Sequence, residues 1–142
     1  PVILFLDTSA LVKLYVEELH SAAVRGWVDE AEVVAACRVA YPEAVSALSR
    51  RMRAGDLSKS GYGVAFRAFR RDWDRLAVVD FREVEAGRLA AKYGLRGFDA
   101  IHLSSAMTIA SAPAGPDVLF SSFDAALNRA AAGERLQVLS PR

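Results

Sequence analysis

The sequence contains a single cysteine and no long apolar run, and each scarcity excludes a class of protein. Cys37 has no second cysteine to pair with, so an intramolecular disulfide is excluded and the composition fits a reducing compartment. Because Cys37 follows an apolar run, we expect a buried small side chain there and not a catalytic thiol. No stretch approaches the roughly 18 apolar residues of a membrane span, and the start lacks a basic region followed by a cleavage site. We therefore expect a soluble, cytoplasmic protein that does not contact a membrane.

Neither sign of charge dominates the sequence, but the charges are unevenly distributed. The formal net charge is +1. From Arg50 to Arg75 eight basic residues stand against three acidic ones, a local balance of +5, so the remainder of the chain carries about −4. The length of 142 residues, of which 53% are hydrophobic and 25% charged, predicts one globular domain spanning 1–142.

Short apolar runs alternate with segments of helical periodicity, which indicates an α/β protein with a parallel sheet. The first run, 2–6, is too short for an independent helix and is typical of a strand covered on both faces. The other predicted strands are 33–36, 76–79, 118–120 and 136–139. The predicted helices are one capped by Thr8 and Ser9, one begun by Ser58, and the segments 21–31, 39–54, 82–93, 100–110 and 124–133.

Three aspartates share one setting between a strand and a helix. Asp7 follows the first predicted strand, Asp124 follows the fourth, and Asp99 opens the helix over 100–110. Each is consistent with a helix N-cap or a first-turn acid, which the helix dipole favours. A second interpretation arises because ligands of open α/β sheets bind beyond the carboxyl ends of the strands. Carboxylates gathered there repel one another unless a cation neutralises them, and all-oxygen ligands suit Mg²⁺ or Mn²⁺.

Glu43 is a fourth candidate acid, although the helical pattern around it favours a solvent-exposed side chain. Glu43 lies opposite the apolar stripe of its helix, which consists of Tyr41, Val45, Leu48 and Met52. Small alanines beside Glu43 nevertheless leave room for another element to approach. Spacing alone leaves both interpretations open.

At four places the residues resemble the signature segments of PIN-domain proteins. These segments are 6–11, Glu43 with Ala44, 98–103 and 120–127, which read LDTSAL, EA, FDAIHL and FSSFDAAL. They occur in the family's order and span nearly the whole chain, which makes the match far more specific than any single aspartate. Within that family the sequence resembles the VapC-type toxins of bacterial and archaeal toxin–antitoxin modules.

The resemblance implies a fold, an activity and partners. The fold is an α/β, PIN-like three-layer sandwich with a central parallel sheet of about five strands flanked by helices. The activity is that of a metal-dependent endoribonuclease, in which metal-activated water cleaves RNA phosphodiester bonds. The catalytic residues, which are also the ligands of Mg²⁺ or Mn²⁺, would be Asp7, Glu43, Asp99 and Asp124. The implied partners are a cognate VapB-like antitoxin and a second copy of the chain in a homodimer.

Two serines and a histidine lie next to these acids in the sequence. Ser9 falls where the family keeps a small hydroxyl residue, and Ser122 stands where members usually carry threonine. Both serines are expected to support the site by hydrogen bonding, Ser122 with a looser rotamer than threonine. His102 is three residues after Asp99 on the same helix face, where a buried structural histidine is favoured over a general base.

The basic stretch is the candidate RNA-binding surface. Arginines there can guide a phosphate backbone, and the candidate contacts are Arg50, Arg51 and Arg53. Aromatic residues recur at helical spacing in the same stretch and could stack on bases, but their spacing favours core packing; they are Tyr62, Phe66, Phe69 and Trp73. The resemblance suggests that part of this helical region serves dimerisation and antitoxin binding.

Two other functional classes are compatible with parts of the pattern. A phosphatase of the haloacid dehalogenase type would use Asp7 as its nucleophile, but those enzymes have a second aspartate two residues later, where this chain has Ser9. A catalytically silent binding module would not need all four acids.

Overall fold

The computed structural model describes residues 2–141, which contain five strands and seven helices. The strands are β1 (Val2–Leu6), β2 (Val33–Cys37), β3 (Ala77–Val79), β4 (Asp117–Ser121) and β5 (Gln137–Val138). The helices are α1 (Thr8–Val12), α2 (Ser21–Glu30), α3 (Ala40–Arg53), α4 (Lys59–Trp73), α5 (Glu83–Tyr93), α6 (Gly97–Ala110) and α7 (Ala125–Gly133). Every helix within the described residues is too short or too polar to cross a lipid bilayer.

The five strands form one parallel sheet in the order β3-β2-β1-β4-β5. β1 is central, and its last residue, Leu6, is opposite Ala36 of β2 on one side and Ser121 of β4 on the other. The chain proceeds outward from β1 to β3 and then returns to the other side of β1. The topological switch point of the sheet, where α/β proteins bind ligands, therefore lies between β1 and β4.

Helices cover both faces of the sheet. Phe5 of β1 packs in a core with residues of α5, α6 and α7, whereas Leu4 and Leu6 pack in a second core with residues of α1 to α4. This division follows from the strand period of two, since successive side chains point to opposite faces. The structure confirms the predicted three-layer α/β sandwich.

The aromatic residues of α4 belong largely to the second core. Phe69 is fully buried, and its ring centroid lies 5.3 Å from that of Tyr15 and 5.2 Å from that of Tyr41. Tyr62 and Phe66 stack on each other and are half-buried. The helical spacing of these aromatic residues thus reflects core packing, as expected.

Two helix starts differ from the expectation. Asp7 is itself the N-cap of α1, because its side chain accepts a hydrogen bond from the backbone N–H of Ala10, so Thr8 and Ser9 lie inside the first turn. α6 begins at Gly97, three residues before the predicted start, and Asp99 is in its first turn. The earlier start was hidden from the apolar pattern because burial in α6 begins only at Ala100.

Candidate active site

Two strands and two helices bring the candidate acids to one open pocket of about 410 Å³ beyond the carboxyl end of the sheet. Asp7 follows β1, and Asp124 follows the neighbouring strand β4. Glu43 comes from α3 in one helical layer, and Asp99 comes from α6 in the other. All four predicted carboxylates therefore line the same pocket at the switch point.

Asp7 is the most buried of the four acids, with 4% of its surface exposed. Its Oδ1 accepts hydrogen bonds from Ser9 Oγ at 2.7 Å and from the Ala10 N–H at 3.0 Å. Burial raises the pKa of the Asp7 carboxyl, and hydrogen bonding by Ser122 together with the charge of His102 opposes that shift. Burial, and not repulsion among the acids, is therefore the main cause of the raised pKa at Asp7.

Glu43 is linked to His102, which is only 2% exposed. His102 Nε2 lies 2.6 Å from Glu43 Oε1, and Thr8 Oγ1 donates a hydrogen bond to the same oxygen at 2.7 Å. Because an ionised carboxylate can only accept, the histidine Nε2 carries the hydrogen in this contact. Burial alone would raise the pKa of Glu43, but hydrogen bonds from His102 and Thr8 outweigh it and hold that pKa below its usual value.

The partial burial of Glu43 depends on how α3 packs. The small residues Ala40 and Ala44 of α3 are completely buried in the second core, whereas Tyr41 and Val45 are only partly buried. Glu43 lies beside Ala44, and its carboxylate contacts His102 of α6. The apolar stripe could not predict this, because the contact comes from residues nearly 60 positions away.

Asp99 and Asp124 share one cationic neighbour. The guanidinium of Arg96 lies 3.1 Å from an oxygen of Asp99 and 3.7 Å from an oxygen of Asp124, while 81% of the arginine side chain is exposed. Asp124 is also the N-cap of α7, since its Oδ1 accepts from the Leu127 N–H at 2.8 Å. The carboxylate oxygens of both acids thus already contact polar groups of this chain.

The two predicted supporting serines connect the chain segments that follow β1 and β4. Ser9 Oγ donates to Asp7 and accepts from the Phe123 N–H at 3.0 Å, which ties the two segments together. Ser122 Oγ accepts from the Asp124 N–H at 3.0 Å and holds the turn before α7. The hydroxyl at position 122 is therefore used even though serine replaces the usual threonine.

Basic side chains line one side of the pocket. Arg50 and Arg51 are among its lining residues, whereas Arg53 turns back along α3 and donates to Ser49 Oγ at 2.7 Å. Arg51 and Lys13 both pair with Glu18 at the pocket wall. Sequence reasoning missed Lys13, Glu18 and Arg96, because ion pairs between distant residues produce no periodic signal.

The donor chemistry of the pocket suits a divalent cation, since carboxylate oxygens are the ligands that Mg²⁺ and Mn²⁺ prefer. The buried carboxyl of Asp7, with its raised pKa, would also be stabilised as an anion by such a charge. Within residues 2–141, no three His, Cys, Asp or Glu side chains stand close enough together to hold one ion. Binding an ion would therefore require the carboxylates to rotate toward one another, with Asp99 and Asp124 leaving Arg96.

Solved structures share this fold. The crystal structure of PAE2754 from Pyrobaculum aerophilum superimposes with a TM-score of 0.69, at 22% identity, over 91% of this chain and 84% of that one. The crystal structure of FitAcB from Neisseria gonorrhoeae gives a TM-score of 0.66 at 14% identity, over 96% of both chains. At these identities the likeness concerns the fold alone.

Sequence relatives are more similar. Ribonuclease VapC45 and Ribonuclease VapC49, both from Mycobacterium tuberculosis, are each 34% identical over 110 residues, which cover 75% of this chain and 76% of theirs. The family model described as PIN domain matches residues 4–133. This range includes all four candidate acids, the last three residues of β1 and the whole of β2, β3 and β4. The chain therefore belongs to the PIN domain family.

Proposed function

We propose that this chain is a metal-dependent endoribonuclease and the toxin of a type II toxin–antitoxin module. The observation that carries the proposal is the placement of Asp7, Glu43, Asp99 and Asp124 on one pocket at the switch point, with Arg50 and Arg51 on its wall. The relatives named as ribonucleases, whose aligned residues cover three quarters of this chain, support the same activity.

Asp7, Glu43, Asp99 and Asp124 would hold the ion, which we propose is Mg²⁺ or Mn²⁺. When bound, such an ion lowers the pKa of a water molecule and stabilises the charge that develops on a phosphodiester. The chain itself then needs no nucleophilic side chain.

The residues around the acids hold them in place and bind the RNA backbone. Ser9 fixes the orientation of Asp7, and His102 with Thr8 keeps Glu43 ionised. Arg50 and Arg51 present guanidinium groups suited to phosphate oxygens, so they would position the RNA next to the carboxylates. Arg53 would contribute only to more distant phosphates, given its direction along α3.

The partners follow from the family rather than from the pocket. We propose that a VapB-like antitoxin binds the chain, that the chain forms a homodimer, that residues 1–142 act as one domain and that the protein acts on RNA in the cytoplasm. Expression without the antitoxin should then arrest growth, and expression of Asp7→Asn should not. Normal growth with the active protein present and no antitoxin would contradict the toxin assignment.

The experiment that tests the activity compares purified wild type with Asp7→Asn on RNA, in chelator and with added Mg²⁺ or Mn²⁺. We expect cleavage only by the wild type and only with metal. Asp56→Asn is the matched control, because Asp56 is exposed and lies outside the pocket lining. Hydrolysis of a small phosphomonoester without RNA cleavage would favour the phosphatase, and RNA binding without any hydrolysis would favour a binding module.

A further inference from the structure

Phe98 is an exposed aromatic side chain beside the acidic pocket. It lies in the first turn of α6, directly before Asp99, and 58% of its surface is exposed. Among the described residues, the other large apolar side chains that are this accessible are aliphatic, for example Val64 and Val84. Exposing a phenylalanine ring forfeits the free energy that its burial would provide, so the position calls for an explanation.

A second cavity, of about 360 Å³, lies against the Phe98 ring. Its wall includes Phe98, Pro42, Ser46 and Arg50. The second cavity shares Thr8, Glu43, Ala47 and Arg50 with the acidic pocket, so the two are continuous. A ligand group in this cavity would therefore be adjacent to any phosphate bound at the acids.

The chemistry of the second cavity combines an aromatic face with a cation. Arg50 is held at its rim by a hydrogen bond of 2.8 Å to Ser46 Oγ, where α3 faces the first turn of α6. A flat ring of Phe98 and a guanidinium plane are the two side-chain surfaces on which nucleobases stack, and the guanidinium also binds phosphate. Glu43 and Thr8 line the side of the second cavity that adjoins the acidic pocket.

We propose that Phe98 is a stacking platform for one unpaired nucleobase next to the scissile phosphate, with Arg50 binding the adjoining backbone. This inference rests on the proposed ribonuclease function and deepens it, since it assigns a residue of this chain that positions one base of the RNA beside the acids. A base in a duplex is stacked and paired, so its face is not available to the ring.

The experiment measures binding of a single-stranded RNA that carries 2-aminopurine, whose fluorescence is quenched when the base stacks. Wild type, Phe98→Ala and Phe98→Tyr are compared in chelator, where cleavage cannot interfere. Val84→Ala is the matched control, because Val84 is exposed on α5, away from both cavities. Cleavage kinetics with metal provide a second readout for the same proteins.

We expect Phe98→Ala to bind the RNA about tenfold more weakly than the wild type and to lose the fluorescence quenching. Phe98→Tyr should retain both the affinity and the quenching, because tyrosine keeps an aromatic ring at this position. In cleavage assays Phe98→Ala should raise KM while changing kcat little, because stacking stabilises substrate and transition state alike. If Phe98→Ala bound the RNA as tightly as the wild type and quenched the fluorescence equally, the inference would be overturned and the proposed function would remain intact. Failure of the wild type to bind or cleave any RNA would overturn both. Loss of antitoxin binding in Phe98→Ala with unchanged RNA binding would assign the ring to a protein partner and overturn the inference.

Discussion

The Nε2 atom of His102 lies 2.6 Å from Oε1 of Glu43, and this contact joins helices from opposite faces of the sheet. α3 and α6 can meet only beyond the carboxyl edge of the strands, where no strand separates them. Thr8 Oγ1, at the start of α1, completes the group with contacts to both side chains. Three elements are thus joined at the candidate site by one partly buried cluster of side chains.

Removing the imidazole should disturb both the fold and the acid. We expect the free energy of unfolding of His102→Ala to be about 1–3 kcal/mol lower than that of the wild type, because a partly buried carboxylate loses its hydrogen-bond donor. The pKa of Glu43 should rise at the same time, and NMR titration of its carboxyl carbon would measure it. His20→Asn serves as the control, since His20 has a left-handed backbone conformation that asparagine tolerates. An unchanged Glu43 pKa in His102→Ala would contradict this assignment.

The burial of Asp7 predicts a pH dependence of stability in the metal-free protein. Its folded pKa is raised above the ordinary 3.8, so the folded chain binds this proton more tightly than the unfolded chain. The free energy of unfolding therefore falls as the pH rises through the interval between these two values. Asparagine has no proton to lose, so Asp7→Asn should gain stability relative to wild type as the pH rises from about 4 to 7. Thermal melting in chelator across this range measures the difference, and parallel curves would refute the prediction.

Asp99 should matter for metal binding far more than for the metal-free fold. Its pairing with the exposed Arg96 contributes little, so Asp99→Asn should change metal-free stability by less than about 1 kcal/mol. A metal at 100 times its dissociation constant should stabilise the wild type by about 2.7 kcal/mol and the variant much less. Melting in chelator and in excess Mn²⁺ provides the comparison, with Asp56→Asn as the control. Equal stabilisation of the wild type and Asp99→Asn by Mn²⁺ would show that Asp99 is not a metal ligand and serves only the first turn of its helix.

Arg96 competes with any cation for the oxygens of Asp99 and Asp124. We expect Arg96→Ala to bind Mn²⁺ more tightly, because the incoming ion no longer has to displace the guanidinium from the two carboxylates. The gain should be only about two- to fivefold, because exposed ion pairs contribute little free energy. Titration calorimetry measures the affinity directly. Arg70→Ala is the control, since Arg70 of α4 forms an exposed ion pair with Asp74, the residue that follows that helix. Weaker metal binding in Arg96→Ala would show that the arginine organises the acids instead of competing for them.

Most of the fold could be predicted because the strands, above all the largely buried β1, β2 and β4, stand out as short apolar runs. β1 and β2 begin where the sequence predicts, and α5 ends at Tyr93 as predicted, where Gly94 adopts a left-handed conformation. The start of α6 could not be located in the same way. Gly97 and Phe98 precede the first buried residue of that helix and carry no apolar period.

The candidate site was only partly accessible to such reasoning. Asp7 and Asp124 were indicated by their positions directly after predicted strands, which depend on local sequence alone, but the pairing of those two strands came from the structure. The environment of Glu43 depends on His102, and the contacts of Asp99 depend on Arg96, so both required the folded arrangement. The catalytic and metal-binding roles of these residues stay predictions until the variants are measured.

The sheet order also determines when the pocket can exist during protein synthesis. β1 is made first, but its neighbour β4 spans Asp117–Ser121 and is translated more than one hundred residues later. A ribosome has therefore made Asp7 and Glu43 long before the strand that Asp124 follows. Incomplete chains lack one wall of the pocket and leave one edge of β1 unpaired. If the chain is a ribonuclease, products that terminate before β4 lack Asp124 and should be inactive, so the activity should depend on translation beyond Asp124.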